Sequence, residues 1–225
     1  MKQLRLAQMS MALLLGIGTS SLALGFESQA RVVPPHVEAR ELAEAPIVIL
    51  FFASFHCPYS AGARVMLEQL QAKYPGQIRV VVKHFPLTFD RAGYLPHEAA
   101  LAAEEQGKFW EMYRALYDHR DATEDRQKVE ALAKQAGLDL QRFRNALNSR
   151  IGALQISADR AEARALKVTV TPTFYIGGFK LEGTQSLSVL DMLIGHELSS
   201  STQGAADAAG NPVPSAASTS GALVR

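Results

Sequence analysis

The only cysteine of this 225-residue chain, Cys57, opens a Cys-Pro-Tyr-Ser stretch directly after a run of apolar residues. Sulfur exchange needs a thiolate, which positive potential and hydrogen-bond donors stabilise. Pro58 suits the first position of a helix, and this places Cys57 at the N-cap. Its sulfur is then expected to accept from the backbone N–H of Tyr59 or Ser60. The Ser60 hydroxyl is a second candidate donor, and a protonated His56 would favour the thiolate further.

A single cysteine excludes a disulfide within the chain. Cys57 is therefore a buried inert thiol, an intermolecular partner or a reactive thiol, and its place at a strand-to-helix junction favours the reactive thiol. No bound cofactor and no metal site are predicted, because the other histidines have no spacing that suits a ligand set. These histidines are His36, His84, His97, His119 and His196.

A second candidate site is Thr171-Pro172, inside the β-rich stretch "VTVTPTFYIGG". Proline within a strand pattern indicates an edge, a bulge or a cis peptide bond, although a simple turn gives the same pattern. A cis bond here would form a fixed concave edge, and an extended peptide could pair with its backbone.

The surrounding pattern alternates strands and helices. "PIVILFFAS" predicts a buried strand, residues 58–74 an amphipathic helix, and "IRVVVKHF" a second strand parallel to the first. Helix-forming sequence fills about 96–166, with breaks at Gly107 and Gly137 and an N-cap at Asp139. A hairpin at Gly177-Gly178 and a last helix, from Leu187 to about Leu198, complete an α/β order of β-α-β, helical insert, β-β-α.

The ends of the chain differ from this core. Residues 1–30 read as a secretory signal peptide, with a basic "MKQLR", an apolar "MALLLGIG" and a small-residue "LALG". An uncleaved membrane anchor is the alternative; after cleavage no stable membrane span is expected. Residues 31–45 form a leader, 46–198 the folded domain, and 199–225 a small-residue, polar tail predicted to be disordered. A net charge of +1 argues against nucleic-acid binding.

Several motifs together resemble the DsbA-like thioredoxin family of exported thiol–disulfide oxidoreductases. They are "FHCPY", "FPL", "AALAAEEQGKFWEMYRAL", "LDLQRF" and "VTPTFYIGG". The resemblance implies a thioredoxin fold with a helical insert, a periplasmic or otherwise exported location, and a peptide groove in which cis-Pro172 faces the nucleophile Cys57. Pro58, Tyr59 and Thr171 would line that groove and contact protein or peptide substrates.

Two positions depart from the family. Ser60 replaces the second, resolving cysteine, and Phe51 stands where many relatives carry a buried glutamate. The resemblance therefore predicts monothiol exchange, in which glutathione or another external thiol releases Cys57 as co-substrate. The alternatives are a non-catalytic peptide-binding or chaperone-like module, a redox sensor oxidised at Cys57, and a glutathione-transferase-like activity. The sequence predicts no oligomeric state.

Overall fold

A computed structural model of the chain describes residues 45–87, 93–149 and 151–210, with backbone only for 202–210. Its centre is a four-stranded mixed sheet in the order β2-β1-β3-β4. The strands are β1 (Ile47–Ala53), β2 (Ile78–His84), β3 (Thr173–Ile176) and β4 (Phe179–Glu182).

The strand pairing follows the predicted connections. β1 and β2 run parallel, in register from Ile47↔Ile78 to Ala53↔His84, because a helix joins them. β3 is antiparallel to β1, and it forms a hairpin with β4. β1 therefore lies at the centre of the sheet, which explains its continuous apolar sequence.

Helix α1 connects the two parallel strands. Among the residues described between β2 and β3, there are five further α-helices and one 3₁₀ turn (Arg120–Ala122). These elements confirm the predicted α/β thioredoxin fold with a helical insert. The bounds are α1 (Pro58–Lys73), α2 (Tyr94–Glu104), α3 (Phe109–Asp118), α4 (Arg126–Gln135), α5 (Leu140–Asn148), α6 (Ile151–Ala165) and α7 (Leu187–Gly210).

Both faces of the sheet are covered. On one face, Ile49 and Phe51 pack with residues of α1, α7 and the insert in the larger core. On the other face, Leu50 and Phe52 pack against Ala163 of α6 in a smaller core. Alternation along β1 sends successive side chains to opposite faces, so the one strand supplies both cores.

A buried charged cluster also joins α6 to the sheet. Lys83 Nζ lies 2.9 Å from Glu162 Oε2 and 3.5 Å from Asp159 Oδ1, and all three side chains are less than a tenth exposed. The backbone N–H of His84 donates to Asp159 Oδ2 at 2.8 Å. Burial raises the pKa of the Asp159 carboxyl, while these donors oppose the shift. Removing one of these charged side chains would leave another buried charge unpaired, so the cluster holds β2 and α6 together.

The last helix corrects one expectation. The sequence predicts an end near Leu198 and disorder from residue 199, but α7 continues to Gly210. Ser199 and Ser200 donate their hydroxyls to carbonyls four residues earlier, at 2.9 and 3.0 Å, so these polar residues sit within the helix instead of ending it. The alanines that follow favour the same conformation.

The remaining predictions about the chain ends concern residues outside the described part. The signal peptide, nearly all of the leader and residues 211–225 of the tail lie outside the described residues. Across residues 45–87, 93–149 and 151–210, no helix combines the length and apolar character needed to cross a bilayer.

Candidate active site

Cys57 is the N-cap residue of α1, with extended backbone angles (φ −80°, ψ 115°). Pro58 follows in the first turn, as the sequence predicts. The expected hydrogen bonds from backbone N–H groups to the sulfur are absent, since the Cys57 side chain makes no capping bond in α1. Instead the thiol donates to the carbonyl of Thr171 at 3.3 Å. The physical reason is that a protonated thiol has a hydrogen to donate and is itself a weak acceptor.

The Thr171 carbonyl belongs to the second predicted site. The Thr171–Pro172 peptide bond is cis and immediately precedes β3. The Pro172 carbonyl accepts from the backbone N–H of Gly183 at 2.8 Å. This bond attaches the segment before β3 to the residue that follows β4. The fold thus brings together two segments that are 114 residues apart in the chain.

Ser60, one turn along α1, is fully buried beneath the sulfur-bearing turn. Among the described residues its Oγ has no hydrogen-bond partner. Burial raises the pKa of the Tyr117 phenol, with a smaller contribution from the charge of Cys57. Tyr117 therefore stays protonated and donates to the Ser54 carbonyl at 3.4 Å.

The helical insert covers one side of this site through aromatic rings. Phe55, just before the Cys57 turn, packs on Tyr117 of α3 with ring centroids 4.7 Å apart and on Tyr113 at 5.4 Å. Beneath the turn, Phe51 stacks on Phe174 at 5.2 Å. The position at which the family resemblance implies a buried glutamate in many relatives is therefore an apolar contact in this chain, without an ionisable group.

His56 contacts the insert. Its Nε2 lies 3.0 Å from Thr123 Oγ1 and 4.0 Å from Glu124 Oε1. Its imidazole is one-fifth exposed, whereas the Glu124 carboxylate is mostly exposed. His56 is therefore attached to the loop after α3, and the next residue in the sequence is Cys57, which carries the thiol.

Two buried histidines contact each other near the turn that carries Cys57. Nδ1 of His84, at the end of β2, lies 2.8 Å from Nδ1 of His97 in α2, and the His97 ring also packs edge-on against Phe55. Burial lowers the pKa of His84 to about 3 and that of His97 well below its usual range, so both rings are neutral near pH 7. One ring must donate and the other accept.

The surface around Cys57 is apolar and exposed. Tyr59 is 63% exposed and Val170 is 42% exposed, whereas Cys57 itself is only 7% exposed. Pro58 is also exposed. Tyr59, Val170 and Pro58 are thus exposed, whereas the sulfur is nearly covered.

Sequence reasoning identifies the residues adjacent to the cysteine and the proline, but not those that the insert supplies. Tyr117 and His97 of the insert pack on Phe55, Thr123 contacts His56, and His84 at the end of β2 contacts His97. Nothing in their local sequence distinguishes these residues from core or loop residues. Within the described part of the chain, no three His, Cys, Asp or Glu side chains gather into a metal-binding group.

Comparison with known proteins assigns a family to this arrangement. A family model described as Thioredoxin matches residues 42–196. Among curated proteins, the Na(+)/H(+) antiporter NhaA 3 of Salinispora tropica is 36% identical over 165 residues, which cover 72% of this chain and 25% of that protein. The Na(+)/H(+) antiporter NhaA 1 of Salinispora arenicola is 34% identical over 165 residues, which cover 72% of this chain and 25% of that protein. The chain spans about a quarter of the length of these relatives.

Solved structures share the fold. A thioredoxin-like oxidoreductase from Silicibacter pomeroyi superimposes with a TM-score of 0.62 at 23% identity, covering 68% of this chain and 87% of its own. The thiol-disulfide exchange protein alpha-DsbA2 from Wolbachia pipientis gives 0.62 at 20% identity, covering 68% and 82%. A periplasmic thioredoxin-like protein from Salmonella enterica serovar Typhimurium gives 0.60 at 21% identity, covering 69% and 86%.

Proposed function

Because the chain belongs to the thioredoxin family, we propose that it is an exported monothiol thiol–disulfide exchange protein with Cys57 as its nucleophile. One observation carries the proposal: the thiol lies at the N-cap of α1 and contacts the carbonyl of the residue before cis-Pro172, at 3.3 Å. A helix N-terminus supplies unpaired N–H groups and positive potential, which favour a thiolate once the proton leaves. The signal-like residues 1–30 support export.

The proposed reaction has two exchange steps. The Cys57 thiolate attacks one sulfur of a substrate disulfide, forms a mixed disulfide and releases the other sulfur as a thiolate. An external thiolate then attacks the mixed disulfide and frees Cys57. A hydroxyl cannot perform this second attack, so Ser60 cannot resolve the intermediate. The disulfide is transferred to the external thiol, and no other oxidant or reductant takes part.

The substrate surface in this proposal is the exposed pair Tyr59 and Val170, with the backbone beside Thr171. Proteins and peptides bearing disulfides or small-thiol caps are the substrate class, since an extended peptide can pair with backbone and place an apolar side chain on this surface. Glutathione, as a small external thiol, would act as co-substrate without a bound cofactor.

The experiment that tests the proposal combines trapping with turnover. The exported protein is purified without reductant, and intact mass shows what is attached to Cys57. Reduction of a glutathionylated peptide by excess glutathione is then compared between wild type and Cys57→Ser. We expect a thiol adduct and catalysis in wild type, and neither in the variant. Equal rates for the two proteins would refute the exchange function.

A second candidate is a peptide-binding module that does not turn over. It is favoured by the low exposure of Cys57, whose thiol is engaged by Thr171 while Tyr59 and Val170 are open to solvent. The same variant separates the two functions. Binding of an unfolded peptide that survives Cys57→Ser, together with no turnover in wild type, would support this second function.

A further inference from the structure

Thr123 is a polar loop residue with no exposed surface. It follows the 3₁₀ turn after α3, and its Oγ1 has two close partners. The Arg120 carbonyl lies at 2.8 Å and His56 Nε2 at 3.0 Å. A hydroxyl has one proton, and the carbonyl can only accept, so the proton points to Arg120. Thr123 Oγ1 must therefore accept from His56.

This reasoning assigns the position of the proton on the His56 ring. If Thr123 accepts, the neutral imidazole carries its hydrogen on Nε2. The Glu124 carboxylate, 4.0 Å from the same nitrogen, favours the same tautomer. The nearby His97 ring is buried and neutral near pH 7: burial lowers its pKa most, and charge on His84 and His56 lowers it further. The ring orientation next to Cys57 is thus determined by the insert.

We propose that Thr123 is a positioning residue for the Cys57 site. Its hydroxyl holds His56 as the Nε2–H tautomer and so attaches the loop between β1 and α1 to the helical insert. The same loop makes the tight turn in which the Cys57 N–H donates to the Ser54 carbonyl at 3.2 Å. Loss of the Thr123 contact releases one side of that turn. The part of this inference that concerns catalysis rests on the proposed exchange function.

The first measurement uses wild type alone. Nitrogen and carbon chemical shifts of the His56 ring distinguish its two neutral tautomers. The proposal expects the Nε2–H tautomer at pH values where the ring is neutral. An Nδ1–H ring in the wild-type protein would overturn it, whatever the behaviour of any variant.

The second measurement uses Thr123→Val, which keeps the shape and removes the hydroxyl, and Thr123→Ser, which keeps the hydroxyl. Thr184→Val is the matched control, since Thr184 is exposed. We expect Thr123→Val to mix the two His56 tautomers and, because the turn that carries Cys57 is released on one side, to change the rate of Cys57 alkylation by iodoacetamide about two- to tenfold, the effect of losing one hydrogen bond. The serine variant should restore both readouts, and the control should leave both unchanged.

These readouts separate this proposal from the exchange function. A Thr123→Val protein with an unchanged tautomer, or an alkylation rate equal to wild type, would overturn the positioning role. Absence of turnover on the glutathionylated peptide in wild type would refute the exchange function. The His56 tautomer and the alkylation rates would still decide whether Thr123 is a positioning residue.

Discussion

At the scale of single residues, the chemistry of this chain depends on one sulfur and the groups within a few ångströms of it. Cys57 donates to a carbonyl at 3.3 Å, and Ser60 lies buried at the position where the family resemblance implies a second cysteine. Phe51 replaces an ionisable group by an aromatic stack. In the proposed exchange reaction, Cys57 is the nucleophile and the release step needs a sulfur from outside the chain.

Replacing Ser60 by cysteine should restore that release step within the chain. Ser60 is three residues after Cys57 on the first turn of α1, and its Oγ has no good hydrogen bond to lose among the described residues. In S60C the introduced thiol attacks a mixed disulfide on Cys57 intramolecularly. We expect the glutathione adduct of Cys57 to decay about tenfold or more faster than in wild type, as followed by intact mass.

The matched control for S60C is Ser60→Ala, which removes the hydroxyl without adding a thiol. Its adduct should decay at the wild-type rate. A long-lived adduct in S60C would mean that the two side chains cannot meet, and it would contradict the position assigned to Ser60.

At the scale of elements, caps and breaks in the sequence place the helices of the insert. Gly107, with a positive φ of 67°, lies between α2 and α3, where a side chain would strain the backbone. Asp125 and Asp139 cap α4 and α5, each accepting a backbone N–H of the first turn at 2.8 Å. Local hydrogen bonds of this kind act within a few residues, and this is why sequence alone predicts the Asp139 cap.

Removing one such cap should lower stability by a modest amount. Asp139 Oδ1 accepts from the backbone N–H of Arg142, so Asp139→Ala leaves that donor to water. We expect the free energy of unfolding to fall by about 1 kcal/mol, measured by urea denaturation. Asp139→Asn keeps an accepting oxygen and should stay close to wild type; equal losses in both variants would show that the cap contributes nothing.

At the scale of the whole molecule, buried polar contacts join distant segments. Lys83 pairs with Asp159 and Glu162 on one face of the sheet, and His84 meets His97 on the other. Consecutive residues at the end of β2 thus attach α6 and α2 to the sheet. Because β2 ends beside the Cys57 turn, the same contacts support the site from below.

The histidine pair predicts sensitivity to acid. The pKa of His84 is lowered to about 3 in the folded protein, mainly by burial and further by Lys83, against about 6.5 in the unfolded chain. As pH falls below 6.5, the unfolded chain binds a proton that the native state does not, so stability decreases until about pH 3. For His84 alone, we expect a loss of about 2 kcal/mol between pH 7 and pH 5.

Urea denaturation at pH 7 and pH 5 measures this loss. His84→Gln should reduce the difference between the two pH values, whereas His119→Gln, at an exposed position, should leave it unchanged. An equal pH dependence in wild type and His84→Gln would show that the buried ring does not control acid stability.

The sequence by itself determined most of the secondary structure and the family, and it predicted Cys57 as the nucleophile of the proposed reaction. Local signals act over a few residues and can therefore be predicted from the sequence; here they are the strand and helix periods, the caps and the helix start at Pro58. The same local reasoning failed for the last helix, because hydroxyls that bond to carbonyls four residues earlier allow polar sequence to remain helical. It also failed for the sulfur, whose partner is a carbonyl and not the N–H groups of its own helix.

Only the tertiary structure decided what surrounds Cys57. The Thr171 carbonyl, the Tyr117 ring and the Thr123–His56 contact come from segments far apart in sequence. Their approach depends on how the insert packs on the sheet, and packing is a property of all the side chains at an interface together. The sequence therefore predicts Cys57 as the nucleophile, but the carbonyl that accepts its proton and the group that orients His56 come together only in the folded chain.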